Sequence, residues 1–338
     1  MNTKEKLKKY QDWLFKCSAY QMALNIIRID KQTVAPSAGA AYRDERSAYL
    51  AGELFSLETD PEIIDILKDL KDDPEVNDED RRAIELYYKK ALDTVCIPKE
   101  EFVAFKKLCD ESFDAWILAK SKADYSIFEP YLKKVIESQK RLYGYRSSDK
   151  SIYNQMLDDY EPGMDEEKYD AFFNALKERL VPLIGKVTKA KQINEDFLHQ
   201  SFPIEEQKKF MDDLLKYVHF DSSWGYQNES EHPFTSWTCE NDCRTTTKYI
   251  ENNVASAILS TVHEVGHAYY EHNIDPKYDG MILSEGVSSG MHESQSRLCE
   301  NYLGRTMAFW KYNYPKLQSY FPKQLGNVSL EDFYKAIN

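Results

Sequence analysis

No stretch of this chain approaches the 18 or so consecutive apolar residues that a membrane-spanning helix needs, and its first residues, M-N-T-K-E-K-L-K-K-Y, lack the apolar centre of an export signal. Positive charge is scarce as well. Lys and Arg number 44 against 57 Asp and Glu, a formal net charge of -13, and no dominant basic patch offsets it, which argues against a nucleic-acid partner. The six cysteines, Cys17, Cys96, Cys109, Cys239, Cys243 and Cys299, are scattered through the chain and do not make a disulfide framework. Only Cys239 and Cys243 lie close together. A C-x3-C with no second Cys or His pair beside it is a weak pointer to a structural zinc. Low-complexity tracts and internal repeats are missing too. These absences predict a soluble, cytoplasmic protein with free thiols, and 338 residues suffice for a substantial core and, on length alone, about two domains.

What the chain has is helical periodicity. From Thr3 to about Ile29, Leu7, Tyr10, Trp13, Leu14, Cys17, Met22 and Ile26 recur at steps of three and four. Further helices are predicted over about 40–56, 62–70, 80–94, 98–121, 128–145 and 166–190, with Thr59-Asp60-Pro61 as a start signal and Tyr160-Glu161-Pro162-Gly163 as a turn. The acidic stretch 72–80 reads as a solvated connection, and Trp116 and Phe128 read as core aromatics. Strand character is confined to residues 232–249, where H-P-F-T-S-W-T and C-R-T-T-T-K-Y flank a turn at Glu240-Asn241-Asp242. Such a hairpin can wall a peptide cleft or be an ordinary surface hairpin, and spacing alone leaves the two even.

The hairpin leads into T-V-H-E-V-G-H-A-Y-Y, which contains the H-E-x-x-H motif His263, Glu264 and His267. On a helix, His263 and His267 sit one turn apart, roughly 6 Å along the axis, so both imidazoles can reach one metal ion. Asn252 and Asn253 offer N-caps, and Ile258, Val262, Val265 and Tyr269 recur on a buried face. A catalytic zinc needs a third protein ligand and an open position for water, whose proton the carboxylate of Glu264 can take.

That third ligand does not follow directly on the helix. Glu271 lies two turns from His263 and His272 is similarly placed, too far along the axis to close a tetrahedron with both His. Downstream, S-E-G-V-S-S-G-M-H-E-S-Q-S-R-L-C-E-N-Y-L-G-R offers Glu285, Glu293 and Glu300, with Gly286 and Gly290 permitting close helix packing. Glu293 is the choice, because Ser289, Gly290 and Ser294 leave room around it while Leu298, Cys299 and Tyr302 crowd Glu300. His292 and Arg297 are candidates for orienting it, with a plain i,i+4 ion pair the equal alternative for Arg297.

These residues resemble the carboxypeptidase Taq type of metallocarboxypeptidase. The likeness rests on His232-Pro233-Phe234, Asp242-x-Arg244-x-Thr246, His263-Glu264-x-x-His267 and His292-Glu293-Ser294-Gln295-Ser296-Arg297, in the family's order and approximate spacing. Ala115-Trp116 and Asp159 to Gly163 also look like family positions. The resemblance implies a mostly helical, zincin-type metallopeptidase fold with an active-site cleft and a short hairpin beside the metal helix, commonly a homodimer. Its implied activity is release of single C-terminal residues from peptides with broad specificity, and its implied cofactor is zinc, with cobalt or another divalent transition metal able to substitute. It assigns His263, His267 and Glu293 to the metal and Glu264 to general base and acid catalysis. It sets His232, Asp242, Arg244 and Thr246 beside the substrate groove, with Arg244 left even between holding a substrate carboxylate and buttressing the cleft through a buried ion pair.

The expected organisation is a single catalytic region over 1–338, with N-terminal helices to about 190 and the motif-bearing part at about 230–310. Two further motifs of the family, I/G-x-x-A/G and G-x-x-Q-D-x-H-W, with the groups that grip a peptide's terminal carboxylate, are not in this sequence. Ser329 to Asp332 reads as a capping box whose helix runs to Asn338 without a stop signal. The expectation is therefore a chain truncated at its C-terminus. The competing readings are a related zinc oligopeptidase or endopeptidase, and an inactive metal-binding fragment.

Overall fold

Short apolar stripes and well-placed caps explain most of the helices in the computed structural model, which describes residues 1–338. The chain forms two compact units: residues 1–156 with Asp275–Glu285, and residues 157–274 with 286–338. An eleven-residue return segment, Asp275–Glu285, joins the first unit.

The first unit contains α1 (Thr3–Thr33), α2 (Ala40–Glu58), α3 (Pro61–Lys71), α4 (Asp78–Val95), α5 (Lys99–Lys122) and α6 (Glu129–Gly144). The Asn2 side chain and Glu5 close a reciprocal capping box on α1. Asp60 accepts from the Glu62 amide to start α3, with Pro61 at the first helical position. Along α3, Ile63, Ile66, Leu67 and Leu70 fall on one stripe and are all buried against Tyr10, Trp13, Leu14 and Ile84. Fully burying one such leucine is worth about 1.5–3 kcal/mol. Trp116 and Phe128, expected in the core, are only half-buried. Glu285 belongs to this unit, where burial raises its carboxyl above the usual range and the charge of Lys90 partly offsets the rise.

Between the units in sequence runs α7 (Ile152–Tyr160). The second unit then has α8 (Glu166–Val187) and α9 (Ile204–Tyr217), a three-stranded sheet of β1 (Gly225–Glu229), β2 (Thr235–Trp237) and β3 (Cys243–Thr247), and α10 (Val254–His272). It continues with α11 (Ser289–Arg297), a π-helical segment Leu298–Gly304, α12 (Met307–Tyr320), α13 (Pro322–Leu325) and α14 (Leu330–Ala336). Helix α8 buries none of its residues. The predicted hairpin is present, since β2 pairs antiparallel with β3. Strand β1 was not expected. It pairs parallel with β3, so the order is β1-β3-β2 and β2 is an edge.

Helix α10 is the axis of this unit. Asn253 caps it by accepting from the Ser256 amide, and Val254, Ala257, Ile258, Val262, Val265 and Ala268 are buried. Val254, Ala257, Ile258 and Val262 pack with Phe210, Leu214, Trp310 and Leu317 in one cluster, whereas Val265 and Ala268 pack with Phe220, Trp224 and Cys243 in another. Gln227 from β1 donates to Thr261 at 3.1 Å, and Thr247 from β3 donates to the Ala257 carbonyl at 3.3 Å. Burial on most sides leaves one strip of α10 half-open, and His263 and His267 lie on it.

Candidate metal centre

The half-open strip of α10 faces α11. The Oε2 atom of Glu293 lies 3.5 Å from His263 Nε2 and 3.4 Å from His267 Nε2, and one donor atom from each of the three residues falls within 4.8 Å of the others. Two imidazole nitrogens and one carboxylate oxygen form a donor set suited to a divalent transition metal. Burial pushes His267 down to about 4, with the neighbouring His292 and His263 adding to the shift, so at neutral pH it is the uncharged imidazole that a metal requires. Burial alone would raise the Glu293 carboxyl. Hydrogen bonds from Ser296 and Arg297, with the charges of His263 and Arg297, outweigh burial and hold it below the usual carboxylate range. The residues present fit such an ion.

Close packing of α10 on α11 makes this convergence geometrically available. A β-carbon on Gly266 would lie 2.7 Å from the Ser296 Cα and 2.8 Å from the Gln295 carbonyl oxygen, so the glycine inside the motif permits the backbone approach. The glycines expected to do this act elsewhere. Gly286 makes room for the His292 ring, and Gly290 for the Glu161 carboxylate. Glu161 also accepts from the Gly290 amide at 2.9 Å, which ties the D-Y-E-P-G turn to the start of α11. Ser288 caps α11 by accepting from the Met291 amide.

Glu264, the residue between the two histidines, is only 6% exposed. Burial raises its carboxyl above the usual range, opposed by a hydrogen bond from Thr235. The Thr235 Oγ1 of edge strand β2 lies 2.6 Å from Glu264 Oε2 and 2.9 Å from its carbonyl oxygen. Thr235 was not among the expected site residues, although its strand is.

The remaining candidates divide. Arg297 donates through Nε to Glu293 Oε1 at 2.8 Å, an i,i+4 ion pair that fits either expected role, and through Nη1 to Glu300 Oε2 at 3.1 Å. His292 does not touch Glu293. Its Nδ1 meets His267 Nδ1 at 2.6 Å and its Nε2 meets Glu271 Oε1 at 2.6 Å, because consecutive helical residues point about 100° apart. Glu300 is not crowded out. Its Oε2 lies 3.0 Å from His263 Nδ1. Glu271 follows His267 by four residues, so helical spacing alone could have singled it out, whereas Glu300 arrives on the π-helical segment Leu298–Gly304.

Arg244 is clamped by Asp242 through Nε and Nη2, both at 2.7 Å, and the pair is about one-third exposed rather than buried. The Arg244 bond is the largest influence on Asp242 and holds its carboxyl below the usual range. Thr246 is buried, accepting from the Phe234 amide at 2.9 Å with its hydroxyl 2.6 Å from that of Ser230, so it locks β3 to the chain entering β2. His232 is exposed, and its backbone carbonyl accepts from Ser230 at 2.7 Å. His272, excluded as a ligand, stacks on Trp224 with ring centroids 3.9 Å apart. All six cysteines are unpaired, and no helix is long and apolar enough to cross a membrane.

Comparison with known proteins places these features in context. The family model described as carboxypeptidase Taq (M32) metallopeptidase matches residues 9–338. Carboxypeptidase 1 of Bacillus subtilis (strain 168) is 37% identical over 335 residues, a match covering 98% of this chain and 66% of that protein. Thermostable carboxypeptidase 1 of Thermus thermophilus is 32% identical, with 95% of this chain and 66% of that protein covered. The solved structure of the M32 carboxypeptidase from Deinococcus radiodurans R1 superposes with a TM-score of 0.88 at 29% identity, covering 99% of this chain and 67% of that one. The chain therefore spans just under two thirds of the length of the two curated relatives.

Proposed function

The chain belongs to the carboxypeptidase Taq (M32) family of metallopeptidases, and from that premise we propose that it is a zinc-dependent metallocarboxypeptidase, releasing single residues from the C-termini of peptides. The observation that carries this reading is the convergence of His263 Nε2, His267 Nε2 and Glu293 Oε2 beside a buried Glu264 held by Thr235. His263, His267 and Glu293 would hold the ion. Membership in a metallopeptidase family implies a divalent metal, and two imidazoles with one carboxylate favour zinc, with cobalt a workable substitute. When bound, such an ion supplies Lewis acidity that polarises a scissile carbonyl and makes water acidic enough to attack near neutral pH.

The chain's own residues supply the rest. Glu264 takes the proton of the attacking water on its carboxylate and returns it to the departing amine, and burial suits it to both tasks by bringing its proton affinity closer to neutrality. Thr235 keeps that carboxylate in one orientation. Strand β2 is an outer strand of the sheet, where an extended peptide can run alongside it, giving the hairpin its role as a wall of the cleft. The Asp242–Arg244 pair buttresses the turn at the end of that wall, His232 lies where the chain enters it, and Thr246 locks its base. Arg297 orients Glu293. We place the enzyme in the cytoplasm, where six free thiols persist, and expect the homodimer common in the family, which sedimentation would test.

The deciding experiment measures free amino acid released from an N-blocked dipeptide by the purified chain with zinc or cobalt. Release that disappears in Glu264→Gln and with a C-terminally amidated peptide is the expected result. Internal cleavage of the amidated peptide would establish an endopeptidase instead, and no cleavage by a folded, metal-loaded chain would overturn peptidase activity for it.

A further inference from the structure

Each ligand histidine must present a bare Nε2 to a metal, and that requires its proton to sit on Nδ1. The structure contains a device for this at both histidines. At His263, Nδ1 lies 3.0 Å from Glu300 Oε2. A carboxylate only accepts, so the proton lies on His263 Nδ1 and the Nε2 lone pair faces Glu293. At His267 the same result is reached through an intermediary. Glu271 Oε1 accepts from His292 Nε2 at 2.6 Å, and in the tautomer that makes this donation the lone pair of His292 is on Nδ1. That lone pair, 2.6 Å away, accepts from His267 Nδ1, and the Nε2 of His267 is again bare.

Both carboxylates sit where a charge is expensive. Glu271 has a side-chain exposure of 1% and Glu300 of 11%, and a buried carboxylate persists only when it is paired. Their partners hold them in place. Arg297 and Arg305 each donate to Glu300 at 3.1 Å, one to each oxygen, and the π-helical segment Leu298–Gly304 carries Glu300 into this position. The His292 ring is enclosed by Trp237, Tyr270 and His267, with centroids 5.5, 5.2 and 4.6 Å away, in the space left by Gly286. Neither carboxylate is among the three groups whose donor atoms converge.

We infer that Glu300 and Glu271 are a pair of positioning residues that set the metal-binding tautomer and ring orientation of His263 and His267, Glu300 directly and Glu271 through His292. The inference rests on the reading of His263, His267 and Glu293 as a metal site. It assigns to His292 a partner, His267, other than the neighbouring Glu293. It also gives the π-helical segment a function, since a regular α-helix would carry residue 300 at a different angle.

The test is zinc affinity of the purified full chain, measured by chelator competition, with the visible spectrum of the cobalt-loaded protein as a second readout. Glu271→Ala and Glu300→Ala are expected to weaken zinc binding by roughly 10- to 100-fold, and to change the cobalt bands at saturating metal. Glu271→Gln and Glu300→Gln keep an accepting oxygen and are expected to recover most of the affinity, falling short of the wild type by about threefold or more through loss of the charge. A purely structural role would lower the melting temperature of both kinds of variant while leaving the zinc constant of the folded protein and the cobalt bands unchanged, and that result would overturn the inference. If the alanine variants do not fold, the glutamine variants decide: wild-type zinc affinity in both overturns it, and the stated weakening supports it. A wild-type chain that binds no zinc would overturn the metal reading itself and this inference with it, whereas tight wild-type binding with unchanged variants removes only the inference.

Discussion

Gly266 and Ser296 meet backbone to backbone: a β-carbon on the glycine would stand 2.7 Å from the serine Cα. Glu293 lies one turn before Ser296 on α11, and Gly266 is flanked on α10 by Val265 and His267, so this contact sets the separation between the imidazoles and the carboxylate. Gly266→Ala should therefore act on the metal site without altering a ligand. Alanine favours a helix over glycine by about 1 kcal/mol, which opposes the effect. The clash should win, because the atoms it meets belong to backbone and cannot rotate away, and overpacking of this kind costs about 1–3 kcal/mol. Denaturant unfolding should show net destabilisation, and zinc titration should show weaker binding. Unchanged zinc affinity would mean that α11 can shift without moving Glu293.

Thr235 offers a test of the general base that spares the metal. Its hydroxyl is 2.6 Å from the Glu264 carboxylate and contacts none of the three proposed ligands. A hydrogen bond to a charged group is worth about 1.5–3 kcal/mol, so Thr235→Val should lower kcat/KM on a blocked dipeptide by roughly tenfold to a hundredfold. Zinc affinity should stay at the wild-type value. Glu264→Gln should be more severe, by about 10²- to 10⁴-fold, again with the metal retained. Equal loss of metal and activity in Thr235→Val would show that the hydroxyl supports the fold of the strand rather than the carboxylate.

Much of this site was legible because helix chemistry is local. The spacing of His263 and His267, the cap at Asn253, the start at Asp60-Pro61 and the small residues around Glu293 each depend on neighbours within a few positions. What could not be read depends on pairings between distant segments. Strand β1 has a sequence, G-Y-Q-N-E, with no alternation to mark it, and becomes a strand through parallel pairing with β3 eighteen residues later. The sequence sets Glu300 between the bulky Leu298 and Tyr302, yet those side chains are exposed, while Glu300 itself turns inward on a π-helical segment that propensity does not reveal. The pairing of His292 with His267 follows from the close approach at Gly266, which the motif contains but does not announce.

Asp242 gives a pH test away from the metal. Its hydrogen bond with Arg244 lowers the carboxyl in the folded chain below its unfolded value, so the pair stabilises the fold above the unfolded carboxylate range, and that contribution is lost as pH falls through the depressed folded value. Asp242→Asn removes the titrating group. The variant should be less stable than the wild type at neutral pH, and the gap between them should close as acid is added from about pH 5 downward. Both groups are about one-third exposed, so solvent screening keeps the gap small, and added salt should narrow it further at neutral pH. A gap that stays constant through the acid range would assign the loss to the turn's packing and not to the charge.

Metal removal should act on one unit of the chain more than on the other. The proposed ligands join α10 to α11, both in the second unit, whereas the buried stripe of α3 against Tyr10, Trp13 and Ile84 belongs to the first and contains no ligand. An ion that binds only the folded site stabilises it in proportion to the logarithm of its concentration over the dissociation constant, about 4 kcal/mol at a thousandfold excess. Stripping the metal with a chelator should therefore speed amide hydrogen exchange in α10, α11 and the π-helical segment that follows, while exchange in α3 and α4 stays slow. Faster exchange of equal size in α3 and α4 would show that the two units open together, and the metal would then stabilise the whole chain.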